Sequence, residues 1–204
     1  MWLKALIAVA LAYLLGNLNG AIYTSKLQGD DVRAHGSGNA GLTNFIRNYG
    51  VNRSLPVLLI DAGKGVLACV MGGLLLSVDL GFQTGAALGG AGVMLGHILP
   101  VFFAFRGGKG ILTGFFVALV VDWRIALLIL AVFAVAYFTT KYVSFASVCA
   151  SVIFGVSFAV LHYDNVVIVV CGVFMATMAT FMHRQNILRL IKGEESKTNL
   201  FKKV

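Results

Sequence analysis

The chain has 204 residues, of which 59% are hydrophobic and only 12% are charged, and its formal net charge is +8. A soluble domain carries about 25% charged residues, so this composition excludes a soluble fold and predicts an integral membrane protein. The excess of basic residues would suit nucleic acid, but the apolar content argues against that partner and favours anionic lipid head groups and phosphorylated ligands.

Seven apolar segments predict an all-α fold with seven transmembrane helices. They cover residues 2–23, 55–78, 81–105, 111–121, 125–140, 145–161 and 166–182. The first resembles a signal peptide at its start, but its apolar character continues past any cleavage point, which favours an uncleaved span. The fourth segment rises only about 17 Å as a helix, whereas a full crossing needs about 20 residues. Fusing it with the fifth segment would reduce the count to six.

The distribution of cations decides between these two counts. Seven spans place 14 of the 16 Lys and Arg residues on one side and leave only Lys4 and Arg124 on the other. Six spans would place Lys141 and the basic tail, including Lys202 and Lys203, on the opposite side of the membrane and would divide the cations almost evenly between the two sides. We therefore predict seven spans, with the N-terminus outside, the C-terminus in the cytoplasm and irregular or re-entrant glycine-rich loops on the cytoplasmic side.

The loop after the third span has the composition of a phosphate site. Residues 105–110 read Phe-Arg-Gly-Gly-Lys-Gly, and glycines let a backbone expose its N–H groups while lysine adds positive charge. The spacing differs from that of a nucleotide P-loop, and the competing interpretation is a tight turn with cations on the inner side. The candidate ligands are Gly107, Gly108, Lys109, Gly110 and Thr113, together with His97, which is either a ligand or a packing residue.

The first cytoplasmic segment, residues 31–47, predicts a second group of anion ligands. Its first half is glycine-rich, and its second half has helical spacing that gathers a hydroxyl, an amide and a guanidinium on one face. A helix N-terminus favours an anion, and an arginine can bind a phosphate through two hydrogen bonds. The alternative is a capped surface helix with a snorkelling arginine. The candidates are Ser37, Gly38, Asn39, Thr43, Asn44 and Arg47.

Two later segments add candidates on the same side. Ser144 and Ser147 lie three residues apart where the sixth span should begin, and they either cap that helix or donate to a ligand. After the last span, His183 and Asn186 share a helix face, although a basic helix lying on anionic lipid would explain the neighbouring arginines.

Carboxylates are scarce, and this limits the chemistry. Asp61 and Lys64 lie three residues apart inside the second span, which favours a helix-positioning ion pair over a direct ligand role. We find no clear carboxylate pair, metal-binding cluster or nucleophile elbow, and we expect no metal. Donors and cations instead suit the binding of two phosphorylated molecules that react with each other, and a substrate phosphate with a second pKa of about 6 could accept the proton.

Three motifs in this order resemble those of the bacterial acyl-phosphate:glycerol-3-phosphate acyltransferases, and the resemblance covers nearly the whole chain as one transmembrane domain, residues 1–204. The chain departs from the family pattern at Leu42, Arg106 and 111–112, where no polar group expected to touch substrate is lost. The motifs are Gly36-Ser37-Gly38-Asn39…Gly41…Thr43-Asn44…Arg47, Gly96-His97…Pro100-Val101-Phe102…Phe105-Arg106-Gly107-Gly108-Lys109-Gly110…Thr113, and His183-Arg184…Asn186-Ile187…Arg189-Leu190…Gly193-Glu194…Lys197.

The resemblance implies transfer of a fatty acyl group from acyl phosphate to the 1-hydroxyl of glycerol 3-phosphate, giving lysophosphatidic acid and inorganic phosphate. It implies a multi-pass protein of the bacterial plasma (inner) membrane with a cytoplasmic site and no cofactor. The expected partners are glycerol 3-phosphate, acyl phosphate and membrane lipid, and an enzyme that makes acyl phosphate is a candidate partner. By resemblance, glycerol 3-phosphate would be surrounded by Ser37, Arg47, Lys109, Ser147, His183 and Asn186. The acyl-phosphate head would be held by Gly107, Gly108, Gly110 and Thr113.

Two other classes share the cation-rich loops. A transporter for organophosphates would need access from both faces, often through repeated halves, but the outer loops are minimal and no repeat is visible. A phosphotransferase acting on lipid head groups would normally need acidic metal ligands, which the inner motifs lack. Both remain alternatives to be separated by assay.

Overall fold

The computed structural model describes residues 1–197, which form ten α-helices and three short 3-10 turns, without a β-strand among them. The tail lysines Lys202 and Lys203, counted above on the cytoplasmic side, lie outside the described residues. The helices are α1 Trp2–Gly16, α2 Gly20–Lys26, α3 Leu42–Tyr49, α4 Leu55–Leu80, α5 Phe82–Ile98, α6 Ile111–Val121, α7 Trp123–Thr140, α8 Val143–Leu161, α9 Val166–Met182 and α10 Arg184–Ile191.

Five segments of the described chain are long and apolar enough to cross a membrane, and this confirms an all-helical membrane fold. A sixth candidate is the pair α9 and α10, which together pass the same test although they are bent by 53°. The five are α1 with α2, α4, α5 with the turn that follows it, α7 and α8. Helix α6 is apolar but has only 11 residues.

The first apolar segment forms two helices, because asparagines interrupt it. Asn19 ends the link between α1 and α2, and its Oδ1 accepts the N–H of Ile22 at 3.0 Å to cap the new helix. The break leaves the carbonyl of Leu18 without a helical partner, and Lys64 of α4 donates to it at 2.7 Å. The buried ammonium of Lys64 therefore binds at the break between α1 and α2, which the apolar pattern does not predict.

The fourth and fifth apolar segments are separate helices, so the fused-helix alternative is wrong. Asp122 stands between α6 and α7 with an extended backbone, at φ −157° and ψ 106°. Its carboxylate accepts the N–H of Arg124 at 3.0 Å and caps the start of α7. The two helices then pack against each other.

Helix α5 lies at the centre of the bundle, packed closely against α1 and α4 and also against α6 and α9. Small residues allow this approach: a methyl group on Gly72 of α4 would collide with the backbone of Gly85 of α5, and the reverse is also true. Close packing fixes the end of α5 and the glycine-rich loop that follows it.

Candidate active site

A single cavity of about 540 Å³ gathers the sequence-predicted residues from separate parts of the chain. Its polar end is lined by the two motif loops, before α3 and before α6, and by the starts of α8 and α10. Its other end is apolar, with walls from α6, α7, α8 and α9. The polar lining includes Ser37, Asn39, Thr43, Asn44, Arg47, His97, Lys109, Gly110, Ser144, Ser147, His183, Asn186 and Glu195, and the apolar lining includes Phe115, Phe116, Ile129, Leu130, Phe133, Ala150, Phe154 and Met175.

Asn44 lines the cavity and also shapes the first motif loop. Its Nδ2 donates to the carbonyls of Val32, His35 and Asn39 at 3.0–3.1 Å, and its Oδ1 accepts the N–H of Ser37 at 3.0 Å. The amide group is therefore fully occupied within the protein. Asn44 holds Ser37 and Asn39 against the cavity.

Helix α3 brings Thr43 and Arg47 to the cavity wall, one turn apart as the spacing predicts. Burial lowers the pKa of Arg47, and the nearby guanidinium of Arg189 acts in the same direction while Glu195 opposes it. An arginine stays charged under such conditions. Gly38 lies outside the cavity lining, and its N–H donates to the carbonyl of His35 at 3.0 Å.

The glycine-rich loop folds back on the end of α5 and does not offer all its amides to the cavity. The N–H of Gly107 donates to the backbone carbonyl of Ile98 at 3.2 Å, and the N–H of Gly108 donates to the backbone carbonyl of His97 at 3.1 Å. Neither glycine lines the cavity. A side chain on Gly108 would collide with the imidazole of His97, so this contact requires glycine. The free-amide cradle expected at these two positions is not formed, because both amides are engaged with backbone carbonyls.

The first turn of α6 supplies the amides that the two glycines do not. Gly110 caps this helix with φ +83°, and Gly110, Ile111 and Leu112 line the cavity. The first N–H groups of a helix have no intrahelical acceptor, and they favour an anion. Thr113 is turned away: its hydroxyl donates to the carbonyl of Asp61 at 3.2 Å, and it does not line the cavity.

Lys109 lies between this helix start and α10. Its ammonium donates to Oδ1 of Asn186, whose Nδ2 donates to Glu195 at 2.8 Å. Arg189 donates to the other oxygen of Glu195 at 2.7 Å. Burial lowers the pKa of Lys109 to about 8, with Glu195 opposing the shift and the nearby cations adding to it.

Glu195 is a charged cavity residue that the sequence analysis did not assign, and Asp61 and Ser151 also line the cavity without having been assigned. Burial alone would raise its pKa, but hydrogen bonds from Asn186 and Arg189 outweigh burial and lower it. The third sequence motif includes Glu194 and not Glu195, but Glu194 is exposed, whereas Glu195 is only 8% exposed. An acidic residue directly after the turn at Gly193, within a basic tail, is the signal that could have found it.

The two serines lie on the first turns of α8, and the capping interpretation of Ser144 is wrong. Tyr142 is the N-cap, and Ser144 lies inside the helix. Its buried hydroxyl makes no hydrogen bond of ordinary geometry within the described chain, although it lies near enough to Glu195 to help lower that carboxylate's pKa. Both Ser144 and Ser147 face the cavity.

His183 ends α9 with its imidazole buried and its orientation fixed. Nδ1 lies 2.8 Å from the carbonyl of Ala179, which can only accept, so Nδ1 carries a proton. In the neutral ring, Nε2 is then a hydrogen-bond acceptor. Within residues 1–197, no three His, Cys, Asp or Glu side chains form a group that could hold a metal ion.

Comparison with known proteins places this geometry in one family. The family model for glycerol-3-phosphate acyltransferase matches residues 6–193. A glycerol-3-phosphate acyltransferase of Thermoanaerobacter sp. (strain X514) is 40% identical over 194 residues, 95% of each chain. That of Neisseria meningitidis serogroup B is 37% identical over 192 residues, which cover 93% of this chain and 95% of the relative.

The fold agrees as well. A crystal structure of PlsY (YgiH), an integral membrane glycerol 3-phosphate acyltransferase in its glycerol 3-phosphate form, superposes with a TM-score of 0.86 at 32% identity, covering 97% of this chain and 99% of that one. The lysophosphatidic acid form gives a TM-score of 0.82 at 32% identity, with 96% of each chain covered. The chain belongs to the glycerol-3-phosphate acyltransferase family.

Proposed function

We propose that this protein transfers a fatty acyl group from acyl phosphate to the 1-hydroxyl of glycerol 3-phosphate, giving lysophosphatidic acid and inorganic phosphate. The observation that carries the proposal is the two-part cavity, in which a cluster of cations and donors leads directly into an apolar chamber. Such a cavity fits one small dianion and one amphipathic anion. Family membership and the glycerol 3-phosphate and lysophosphatidic acid forms of the related structure support the acceptor and the product.

In this proposal, glycerol 3-phosphate binds at the polar end. Arg47 offers a guanidinium fork to its phosphate, and Ser37 and Ser147 add hydroxyl donors from the facing walls. His183 presents Nε2 as an acceptor to a glycerol hydroxyl, because its Nδ1 proton is held by Ala179.

The acyl phosphate binds with its head at Lys109 and the first turn of α6, and with its chain among the apolar helices. The helix start and the ammonium both favour negative charge, and they lie next to the apolar walls at Phe115 and Phe154. This arrangement assigns Gly107 and Gly108 a shaping role, because their amides already donate to α5.

The reaction is direct attack without an acyl-enzyme. The glycerol oxygen forms a bond to the acyl carbon, the bond from that carbon to the phosphate oxygen breaks, and phosphate leaves. The hydroxyl proton goes to the phosphate of glycerol 3-phosphate, whose second pKa is about 6. Lys109 neutralises the departing phosphate and polarises the carbonyl. The alternative is that His183 is the base.

We further propose seven membrane crossings in a bacterial plasma membrane, with the N-terminus outside and the cavity reached from the cytoplasm. The cation distribution supports this orientation. Helix α6 rises only about 17 Å, so it crosses the bilayer only if its first turn lies below the membrane surface.

The test incubates purified protein in lipid vesicles with acyl phosphate and labelled glycerol 3-phosphate, in the presence of a chelator of divalent metal. We expect labelled lysophosphatidic acid and inorganic phosphate in equal amounts, and loss of both in Lys109→Ala by about 100-fold or more. Turnover with an acyl thioester but not with acyl phosphate would show that acyl phosphate is not the acyl donor. Uptake of glycerol 3-phosphate without product would instead indicate a transporter, and a requirement for metal would favour a phosphotransferase.

A further inference from the structure

A buried polar cluster adjoins the cavity: Asp61 of α4 and His97 of α5 line it, and Lys64 of α4 lies against both. The ammonium of Lys64 lies 2.8 Å from Oδ1 of Asp61 and 2.7 Å from Nδ1 of His97. The side chains of Asp61 and Lys64 are 2% and 1% exposed, and that of His97 is 5% exposed. Charges at such depth in a membrane protein are expensive, so their arrangement calls for a function.

The same cluster joins the segments that form the cavity. Lys64 also donates to the carbonyl of Leu18 at 2.7 Å in the break between α1 and α2. Oδ1 of Asp61 accepts the N–H of Gly20 at 3.1 Å, and its backbone carbonyl accepts the hydroxyl of Thr113. The cluster therefore reaches both the first helical break and the first turn of α6.

The protons in this cluster can be assigned from the partners. The carbonyl of Leu18 and the carboxylate of Asp61 only accept, and they lie 2.7 and 2.8 Å from Nζ of Lys64, whereas the carbonyl of Gly16 is a more distant neighbour at 3.3 Å. An ammonium has three donors and no acceptor, so its third N–H is left for His97. The ring nitrogen Nδ1 of His97 must then accept from Lys64. A neutral imidazole with an accepting Nδ1 carries its proton on Nε2.

Nε2 of His97 lies where the two motif loops meet. A methyl group on Gly108 would strike Nε2 and would come within 2.8 Å of the carbonyl of Ala40. His97 lines the cavity, and no hydrogen bond within residues 1–197 engages Nε2. This N–H is the polar group of His97 that remains for a bound molecule.

We propose that Lys64 is a positioning residue, which fixes His97 as a neutral imidazole with an Nε2–H donor for the anionic head bound beside Lys109. The proposal rests on the proposed acyl transfer. Asp61 holds Lys64 as an ammonium, Lys64 occupies Nδ1, and the donor face of His97 is set before substrate arrives. Preorganised donors of this kind stabilise developing negative charge without reorganisation. His97 is then a donor and not the base.

The first test observes the proton directly. The protein is labelled with ¹⁵N-histidine and studied by solid-state NMR in lipid vesicles, and His97→Gln identifies the His97 signals among the four histidines. We expect the parent to show the tautomer protonated on Nε2 over the whole pH range of activity. A parent protonated on Nδ1 would overturn the proposal.

The second test is a double-variant cycle that separates positioning from packing. Asp61→Asn and Lys64→Met are made together, because removing one charge would leave the other buried and unpaired. We expect kcat to fall about 10- to 100-fold with little change in the KM for glycerol 3-phosphate, as suits loss of an oriented donor. The His97 signal should change to a mixture of tautomers.

In a His97→Gln background, a side-chain amide donates without any tautomer, so the same two changes should have little further effect on kcat. A full additional loss there would show that Lys64 acts only by holding the fold, and the positioning role would be wrong. Lys4→Met is the matched control, because Lys4 pairs with Asp79 at 2.8 Å far from the cavity. An inactive parent would count against the proposed function, whereas an active parent with the wrong tautomer would count against this inference alone.

Discussion

The ammonium of Lys109 donates a hydrogen bond to the side-chain oxygen of Asn186, 77 positions later in the chain. Because that oxygen faces Lys109, the amide nitrogen of Asn186 must face the other way, where it donates to Glu195. The bond thus joins the glycine-rich loop to α10 and fixes the direction of the amide. Loss of Asn186 should release both ends.

We expect Asn186→Ala to lower kcat/KM by roughly 10- to 100-fold, because a hydrogen bond to a charged group contributes about 1.5–3 kcal/mol. Asn186→Asp should lower it further, since the new carboxylate would face Glu195 and pair with Lys109 in place of substrate. Steady-state assays with both substrates measure the effect. Gln185→Ala, on the exposed face of the same helix, is the control and should match the parent. Equal rates for Asn186→Ala and the control would contradict the role given to the bond.

The lowered pKa of Lys109, about 8, predicts the basic limb of the pH profile. The ammonium is present below this pKa and is lost as pH rises through it. Since kcat/KM reports the free enzyme, it should fall with a midpoint near this value. Lys109→Arg keeps its charge at every pH tested, so the variant should lose the basic limb even where its maximal rate is lower. An unchanged limb in this variant would assign it to another group.

His183→Gln tests the identity of the base. If the substrate phosphate accepts the proton, the variant should lose less than about 100-fold in kcat and should keep an acidic limb near the second phosphate pKa of about 6. The glutamine can still accept a hydrogen bond from the glycerol hydroxyl. A pH–rate profile of variant and parent supplies the measurement. Disappearance of the acidic limb together with a larger loss would make His183 the base.

The proposed topology predicts opposite accessibility at the two ends of α6. In a parent whose three cysteines are replaced, Arg124→Cys should react with an impermeant thiol reagent from outside the cell. Arg106→Cys and Lys192→Cys should react only after the membrane is opened. All three positions are exposed in the structure. Labelling of Arg106→Cys and Arg124→Cys from the same side would make α6 a re-entrant helix and remove one crossing.

The apolar runs predicted most helices well, because lipid requires each span to satisfy its own backbone. They missed the break after α1. Two asparagines in an apolar run do not show that Lys64, far along the chain, will bind the carbonyl of Leu18 that the break leaves without a helical partner. Local spacing likewise put Thr43 and Arg47 on one face of α3, and they line the cavity together.

The acceptors of the glycine amides could not be predicted from spacing. A glycine-rich loop can present its N–H groups to a ligand or to its own protein, and the choice depends on the end of α5, where His97 and Ile98 offer carbonyls. The position of Glu195 depends in the same way on Arg189 and Asn186, which meet it only after the chain turns. Tertiary contacts decide both features.

The apolar chamber predicts that a bulky side chain on its wall will discriminate between acyl chains. Ala150 of α8 is 5% exposed and lines the chamber, whereas Val152 on the same helix is 51% exposed on its outer face. Ala150→Phe should raise the KM for a long-chain acyl phosphate by about 10-fold or more, since overpacking typically costs about 1–3 kcal/mol. A short-chain donor that ends before the new ring should be affected far less.

The ratio of kcat/KM for long and short donors is the measurement, because it cancels any general damage to the enzyme. Val152→Phe adds the same ring on the outer face of α8 and should leave that ratio unchanged. The KM for glycerol 3-phosphate should also stay near the parent value, since Ala150 lies one turn farther along α8 than Ser147, toward the apolar wall at Phe154. An equal loss for both donors in Ala150→Phe would mean that the acyl chain lies outside the chamber, along the lipid-facing surface.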